Sequence, residues 1–314
     1  MCDPMSRLRS YFLFLLLISV VMVWAQSPVG QAPDQANWPQ KVTVTVGDIR
    51  IRIDGPKMWT LSGMDWRNTT MATEDSAYGT VFTIRDVGHL GTAHFLDVPG
   101  KPGEIEKEIV TSLRLLIDDK PVTEFTPTMV LSGTSFRLER RSKIRGIALE
   151  SSVSIRDDVL IETVHLHARQ PLDSVKAHPL MYAWTPTATV GMFGDEKGIL
   201  KRSVFRKEGK GAAEVLRNAR WVAVFDPVSG KGSVCYFRKQ PADDPEALLL
   251  VDEPDVYRKV ALYSLEDKIV PVGWDGTYQS LMGFFSATEA DGEKKALLRL
   301  KELKAFGGGH PGKI

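Results

Sequence analysis

The sequence predicts an all-β protein: a large antiparallel two-sheet sandwich with one short C-terminal helix. Three observations carry this. Apolar and polar residues alternate with period two in many short runs, the signature of strands with one buried face. Turn residues interrupt those runs roughly every 8–12 positions, as in large sandwiches. No run alternates strands with helices in the βαβ rhythm that a parallel sheet needs. The chain has 314 residues, 43% hydrophobic and 25% charged, with a formal net charge of +1. That balance provides no overall field for nucleic acid or an anionic membrane, and no nucleic-acid motif is present.

In chain order, the first element is an N-terminal leader. Arg7 and Arg9 precede a short apolar run, Tyr11 to Trp24, and Ala25 stands at a cleavage position. This reads as a secretory signal peptide spanning residues 1–25, with Gln26 as the mature start and a secreted or periplasmic location. The apolar run is shorter than the ~18–20 residues that a spanning helix needs. Removal of the leader takes Cys2 with it and leaves Cys235 alone, so no intramolecular disulfide forms; Cys235, in a strand-like GSVCYF run, reads as a small buried hydrophobe. Residues 26–40, rich in Gln, Pro and Ala, read as a flexible leader, 41–305 as a single β-sandwich domain and 306–314 as a disordered tail.

Within the domain, Lys41 to Ile53 is the cleanest hairpin, with Val42, Val44 and Val46 alternating up to Gly47-Asp48 and Ile49, Ile51 and Ile53 alternating after it. Residues 57–78 read as a loop-rich crossing and Tyr78 to Asp86 as a strand. Val87 to Gly103 reads as a Gly- and Pro-punctuated loop carrying His89, His94 and Asp97. Ile109 to Val122 turns at Asp118-Asp119, and two short strands flank Gly133. The central feature is Lys143 to Thr187, where long strands meet at Asp157-Asp158, with Ile155, Val159, Ile161, Val164 and Leu166 on the apolar side. A His-led strand, His178 to Trp184, follows. Gly191 to Gly198 reads as a loop and Ala212 to Arg217 as a short helix. Ala219 to Phe237 reads as a hairpin; Ala247 to Asp252, Tyr257 to Ser264 and Gln279 to Ala287 read as strands. Glu293 to Leu303, with helical apolar spacing, is the helix. The total is roughly twelve to sixteen strands.

The familiar nucleophile, phosphate-loop, dinucleotide and zinc signatures are absent. The candidate chemistry gathers in the central stretch. His178 sits beside aromatic residues, and an imidazole of reference pKa ~6.5 suits proton transfer near neutrality. Glu162, mid-strand, is the candidate base, and His94 is a second candidate for handling a proton from a loop. Tyr182, Trp184 and Trp274 are candidate sugar-stacking rings, although buried rings would fill the core instead. His165 and His167, two apart on one strand face, could instead hold a metal; no further ligand stands at recognisable spacing, and no cofactor is implied. The acidic pairs, Asp243-Asp244 among them, read as turns.

In outline the chain resembles the galactose-mutarotase-like super-sandwich. The likeness lies in the long central strand pair, the run His178-Pro179-Leu180-Met181-Tyr182 and the late segment GTYQSLMGFFSA, and covers most of residues 40–290. The resemblance implies a carbohydrate ligand. Aldose epimerases of this class use a His general acid and a Glu general base; neither Glu253 nor Glu266 sits in a matching motif. The expectation is therefore a secreted carbohydrate-binding or carbohydrate-active protein holding a sugar on a concave sheet face, epimerase- or lyase-like if catalytic. The alternative is a non-catalytic envelope or protein-interaction module.

Overall fold

A computed structural model describes residues 35–72, 79–85, 87–91, 106–206, 208–209, 211–244 and 247–306. The expected signal peptide, His94 and residues 307–314 lie outside the described residues. The strands are, in order, β1 (Lys41–Val46), β2 (Ile49–Asp54), β3 (Thr60–Trp66), β4 (Thr69–Ala72), β5 (Val81–Ile84), β6 (Gly88–Gly91), β7 (Glu106–Lys107) and β8 (Ile109–Ile117). There follow β9 (Lys120–Pro121), β10 (Thr128–Gly133), β11 (Phe136–Ile144), β12 (Ile147–Arg156), β13 (Val159–Ala168), β14 (Leu172–His178), β15 (Met181–Trp184) and β16 (Val190–Gly194). The last are β17 (Ile199–Val204), β18 (Ala212–Arg217), β19 (Trp221–Asp226), β20 (Lys231–Lys239), β21 (Ala247–Glu253), β22 (Tyr257–Val270) and β23 (Asp275–Ser286), before helix α1 (Gly292–Ala305).

The strands form a large sandwich, as the alternation predicts, but from three sheets. A ten-stranded sheet runs β17-β16-β19-β20-β23-β13-β12-β11-β8-β9. An eight-stranded sheet has the path β18-β21-β22-β14-β5-β6-β7 with β15 paired to β22, and a five-stranded sheet has the order β10-β1-β2-β3-β4. Pairing is antiparallel except at β1·β10 and β6·β7. One apolar core joins all three inner faces: Val44 and Ile51 of the small sheet, Leu138 and Val164 of the large one, and Val175 and Leu262 of the third. Burying such side chains is the main favourable term, each contributing about 1.5–3 kcal/mol.

Local chemistry explains the turns. Asp118-Asp119 and Asp157-Asp158 both adopt positive φ, which Asp tolerates better than most residues. Asp118 Oδ1 also accepts from the Thr134 hydroxyl and from the Ser135 and Thr134 backbone amides, which hold its carboxyl below the usual range.

Several expectations shift. Residues 57–78 contain strands β3 and β4, joined at Arg67-Asn68, both at positive φ; Ser62, Gly63 and Asp65 within β3 and Asn68 in the turn masked the period. Gly191–Gly194 belongs to β16 and Ala212–Arg217 is a strand, because Ala213, Val215 and their neighbours pair with β21. The folded body begins before residue 41. Trp38 is 2% exposed, its ring edge-on to Trp59 at 4.9 Å, and the backbone amide of Gln40 donates to Pro127. At the other end, the Phe306 carbonyl accepts from Arg238.

Candidate functional site

Strand β13 has two faces, and their parity decides the site. Leu160, Val164, Leu166 and Ala168 point into the main core. Glu162 shares that parity, so it points inward as well. Val159 and Ile161 point the other way, where Ala296, Leu300 and Leu303 of α1 cover them. Beyond the helix the same outer face continues as Thr163, His165 and His167. The apolar set read from the sequence thus divides between two faces, Val159 and Ile161 on one and Val164 and Leu166 on the other.

Glu162 does meet Tyr182. The Tyr182 hydroxyl donates to Glu162 Oε2 at 2.9 Å and shares a short hydrogen bond with Ser280. Burial pushes the Glu162 carboxyl up to about 7, against the lowering effects of the Tyr182 hydroxyl and the Arg140 charge. Burial also raises the Tyr182 hydroxyl and the Cys235 thiol. Nearby, Arg140 is 5% exposed; it pairs with Glu108 at 3.3 Å and donates to Ser151 and to the Met58 carbonyl. This polar network ties the sheets together inside the core.

His178 does not join it. His178 ends β14 rather than beginning the next strand. It pairs with Val81 on the outer face of the eight-stranded sheet, whereas Ala177 pairs with Phe82 in the core. Its ring lies 5.5 Å from Tyr263, and its Nδ1 is 3.3 Å from the Leu262 carbonyl. The expected acid–base pair of His178 and Glu162 therefore fails, because the two side chains leave different sheets toward different sides.

The aromatic expectations shift too. Tyr182 and Trp184 are buried at 3% and 1%, their rings 6.1 Å apart, and Trp274 packs partly buried on the core over Gly276. They fill space between layers instead of presenting open rings. Asp244 lies in the expected turn, its backbone amide donating to the Pro241 carbonyl, and its carboxylate is in addition a buried acceptor for Ser264, Tyr278 and the Leu265 amide.

What stays open is the outer face of the ten-stranded sheet past α1. There β13 and β23 stand side by side with Thr163 opposite Gln279, His165 opposite Thr277 and His167 opposite Asp275. Asp275 Oδ1 lies 2.9 Å from His167 Nδ1 and 3.2 Å from His165 Nε2, while His165 Nδ1 is 3.0 Å from Thr277 Oγ1. With the His165 proton on Nε2, this ring donates to Asp275 and accepts from Thr277. Gln279 Nε2 donates to Thr163, and Arg238 Nε donates to Gln279 Oε1 at 2.8 Å. The ladder spans about 13 Å along the strand, at about 3.3 Å per residue. His165, His167 and Asp275 keep 37–54% of their side-chain surface in solvent. Among the described residues no group of three or more His, Cys, Asp or Glu is placed to hold a metal ion, and no helix is long and apolar enough to cross a membrane.

Asp275, Thr277 and Gln279 escaped the sequence reading. Their signal is present, since polar residues alternate with Gly276, Tyr278 and Ser280. Their pairing with β13, more than 100 positions away in the chain, has no sequence signal.

No family model and no curated protein matches the sequence. Among solved structures, the chain is similar to a galactose mutarotase related enzyme from Lactobacillus acidophilus, at 10% identity and TM-score 0.40, covering 79% of this chain and 98% of that one. It is also similar to an aldose epimerase homologue from C. elegans, at 9% identity and TM-score 0.41, covering 79% and 99%. An alpha-galactosidase from Lactobacillus brevis shares 11% identity with a TM-score of 0.45 over 79% of this chain, which spans 40% of that enzyme.

Proposed function

We propose that the protein is a secreted or periplasmic carbohydrate-binding protein that holds sugar hydroxyls on the open outer face of the ten-stranded sheet. The observation that carries this reading is the half-buried to exposed, solvent-facing ladder of His165, His167, Asp275, Thr277, Thr163, Gln279 and Arg238. Sugar hydroxyls both donate and accept, and this row supplies a carboxylate, imidazoles, an amide, a guanidinium and hydroxyls side by side. Binding without bond cleavage is favoured over epimerase- or lyase-like turnover, because the candidate acid His178 and base Glu162 are not brought together. In this reading residues 1–25 are the signal peptide and the mature chain starts at Gln26. Mass analysis of the exported protein tests that start.

The deciding experiment is a glycan array probed with the mature chain. A hit that falls at least about tenfold in His165→Ala/His167→Ala and in Gln279→Ala, but persists in His178→Ala, supports the reading. A hit that depends on His178 and not on the ladder refutes the proposed face. A blank array refutes carbohydrate binding and favours the envelope or protein-interaction module.

A further inference from the structure

The outer face of the five-stranded sheet carries a second polar groove, of about 610 Å³. That is within the roughly 300–1,000 Å³ of small-ligand sites. Side chains on this face follow from strand parity: Val42, Val44, Ile49, Ile51 and Ile53 point into the core, leaving Thr43, Thr45, Arg50 and Arg52 outside. Across the strands, Arg50 stands between Thr45 and Asp65, and Arg52 between Thr43 and Gly63.

The three guanidinium groups here are not equivalent. Arg67 is committed: it pairs with Asp48 at 2.7 Å and lies over the Trp66 ring. Arg52 gives Nη1 to Asp65 at 3.0 Å and lies flat on the sheet, which Gly63 allows, since a Cβ there would sit 2.4 Å from its Nη2. Arg50 is exposed, with no hydrogen bond or ion pair among the described residues. Two carboxylates therefore face three guanidinium groups, and the charge left over is at Arg50, next to a pre-positioned Arg52.

We propose that this groove is a second ligand site, taking a carboxylate-bearing oligosaccharide through Arg50 and Arg52. A planar guanidinium fork matches a carboxylate bidentately. The flanking Thr43, Thr45 and Thr70 hydroxyls serve the sugar hydroxyls. A sheet face, unlike a sheet edge, offers no free backbone groups, so an extended acidic peptide would lack the main-chain bonds that strand addition provides. The site is separate from the ladder on β13 and β23 and stands or falls independently of it.

The test is calorimetric titration of the mature chain with a uronic-acid tetrasaccharide, its methyl ester, in which the carboxylates are neutralised, and tetraglutamate. In the His165→Ala/His167→Ala background, where the ladder no longer holds sugar hydroxyls, the expected result is binding of the acid, weakened about tenfold or more in the methyl ester and on adding Arg50→Gln/Arg52→Gln. Affinity for the acid also falls as salt rises. Gly63→Ala provides a milder variant: its Cβ meets only the end of a flexible side chain, so it folds like the parent protein while displacing Arg52, and it binds the acid more weakly. The proposal is overturned by no binding of the acid, by undiminished binding in Arg50→Gln/Arg52→Gln, by tetraglutamate binding as tightly as the acid, or by loss of acid binding in the histidine variant alone. Failure of the ladder reading shows in the neutral-glycan array and leaves this titration unaffected.

Discussion

Replacing Glu162 with Gln should change how stability depends on pH. The carboxyl rises from its reference value of 4.5 to about 7 in the folded protein because burial removes its hydration. Each unit corresponds to about 1.36 kcal/mol, so the ionised group costs the fold about 3 kcal/mol relative to the protonated one. The sign follows from linkage. Below pH 4.5 the group is protonated in both folded and unfolded chains and costs nothing. As the pH rises from 4.5 through 7, the unfolded chain ionises first and stability is lost, with the full cost present above 7. The side-chain amide of the Glu162→Gln variant does not titrate, so this part of the decline disappears. The amide brings its own constant offset, since it still accepts from Tyr182 but adds two donors that need partners. The informative quantity is therefore the change, with pH, in the gap between variant and parent. Thermal melts at pH 4.5 and pH 8 should show the Glu162→Gln melting temperature gaining on the parent by on the order of 5–10 °C. The neighbouring Tyr182 and Cys235 are both raised, so neither confuses that window. A gap that stays constant across the range would refute the argument that Glu162 is held desolvated between the sheets.

Other outcomes test the packing. Trp38→Ala should cost about 3–5 kcal/mol in urea denaturation, because it empties a buried site against Trp59, and a chain starting at residue 41 should lose a similar amount. Glu108→Gln should destabilise by about 3–5 kcal/mol, since it leaves the buried Arg140 guanidinium without its counter-charge; a loss under 1 kcal/mol in the same assay would mean the pair is hydrated. Tyr182→Phe removes the hydroxyl that favours the ionised carboxylate, so the Glu162 midpoint, followed by carboxyl NMR, should move further above about 7.

The strands are legible in the sequence wherever β-branched residues alternate cleanly. Lys41 to Asp54, with three valines, three isoleucines and a Gly-Asp turn, forms its hairpin as read. Helix α1 is equally plain, since its apolar spacing reflects one buried face: Ala296, Leu300 and Leu303. Where polar residues lie in strands, as in β3, β4 and β18, the signal vanishes, because pairing with a neighbour and not local preference makes those segments extended. Glu162 stands out in the sequence as unusual, yet the sequence does not reveal which way it points. A strand whose outer face is apolar under a helix and polar beyond it shows no consistent alternation.

The sequence by itself determined the class of fold, the turns and the buried character of Cys235, because these follow from local period and turn chemistry. Tertiary structure alone decided which residues meet. The parity of β14 turned His178 away from Glu162. The pairing of β13 with β23 placed Asp275 between His165 and His167, and helix α1 covered only part of that face. Such contacts depend on register between strands far apart in the chain, and a one-residue slip would send every side chain to the other face.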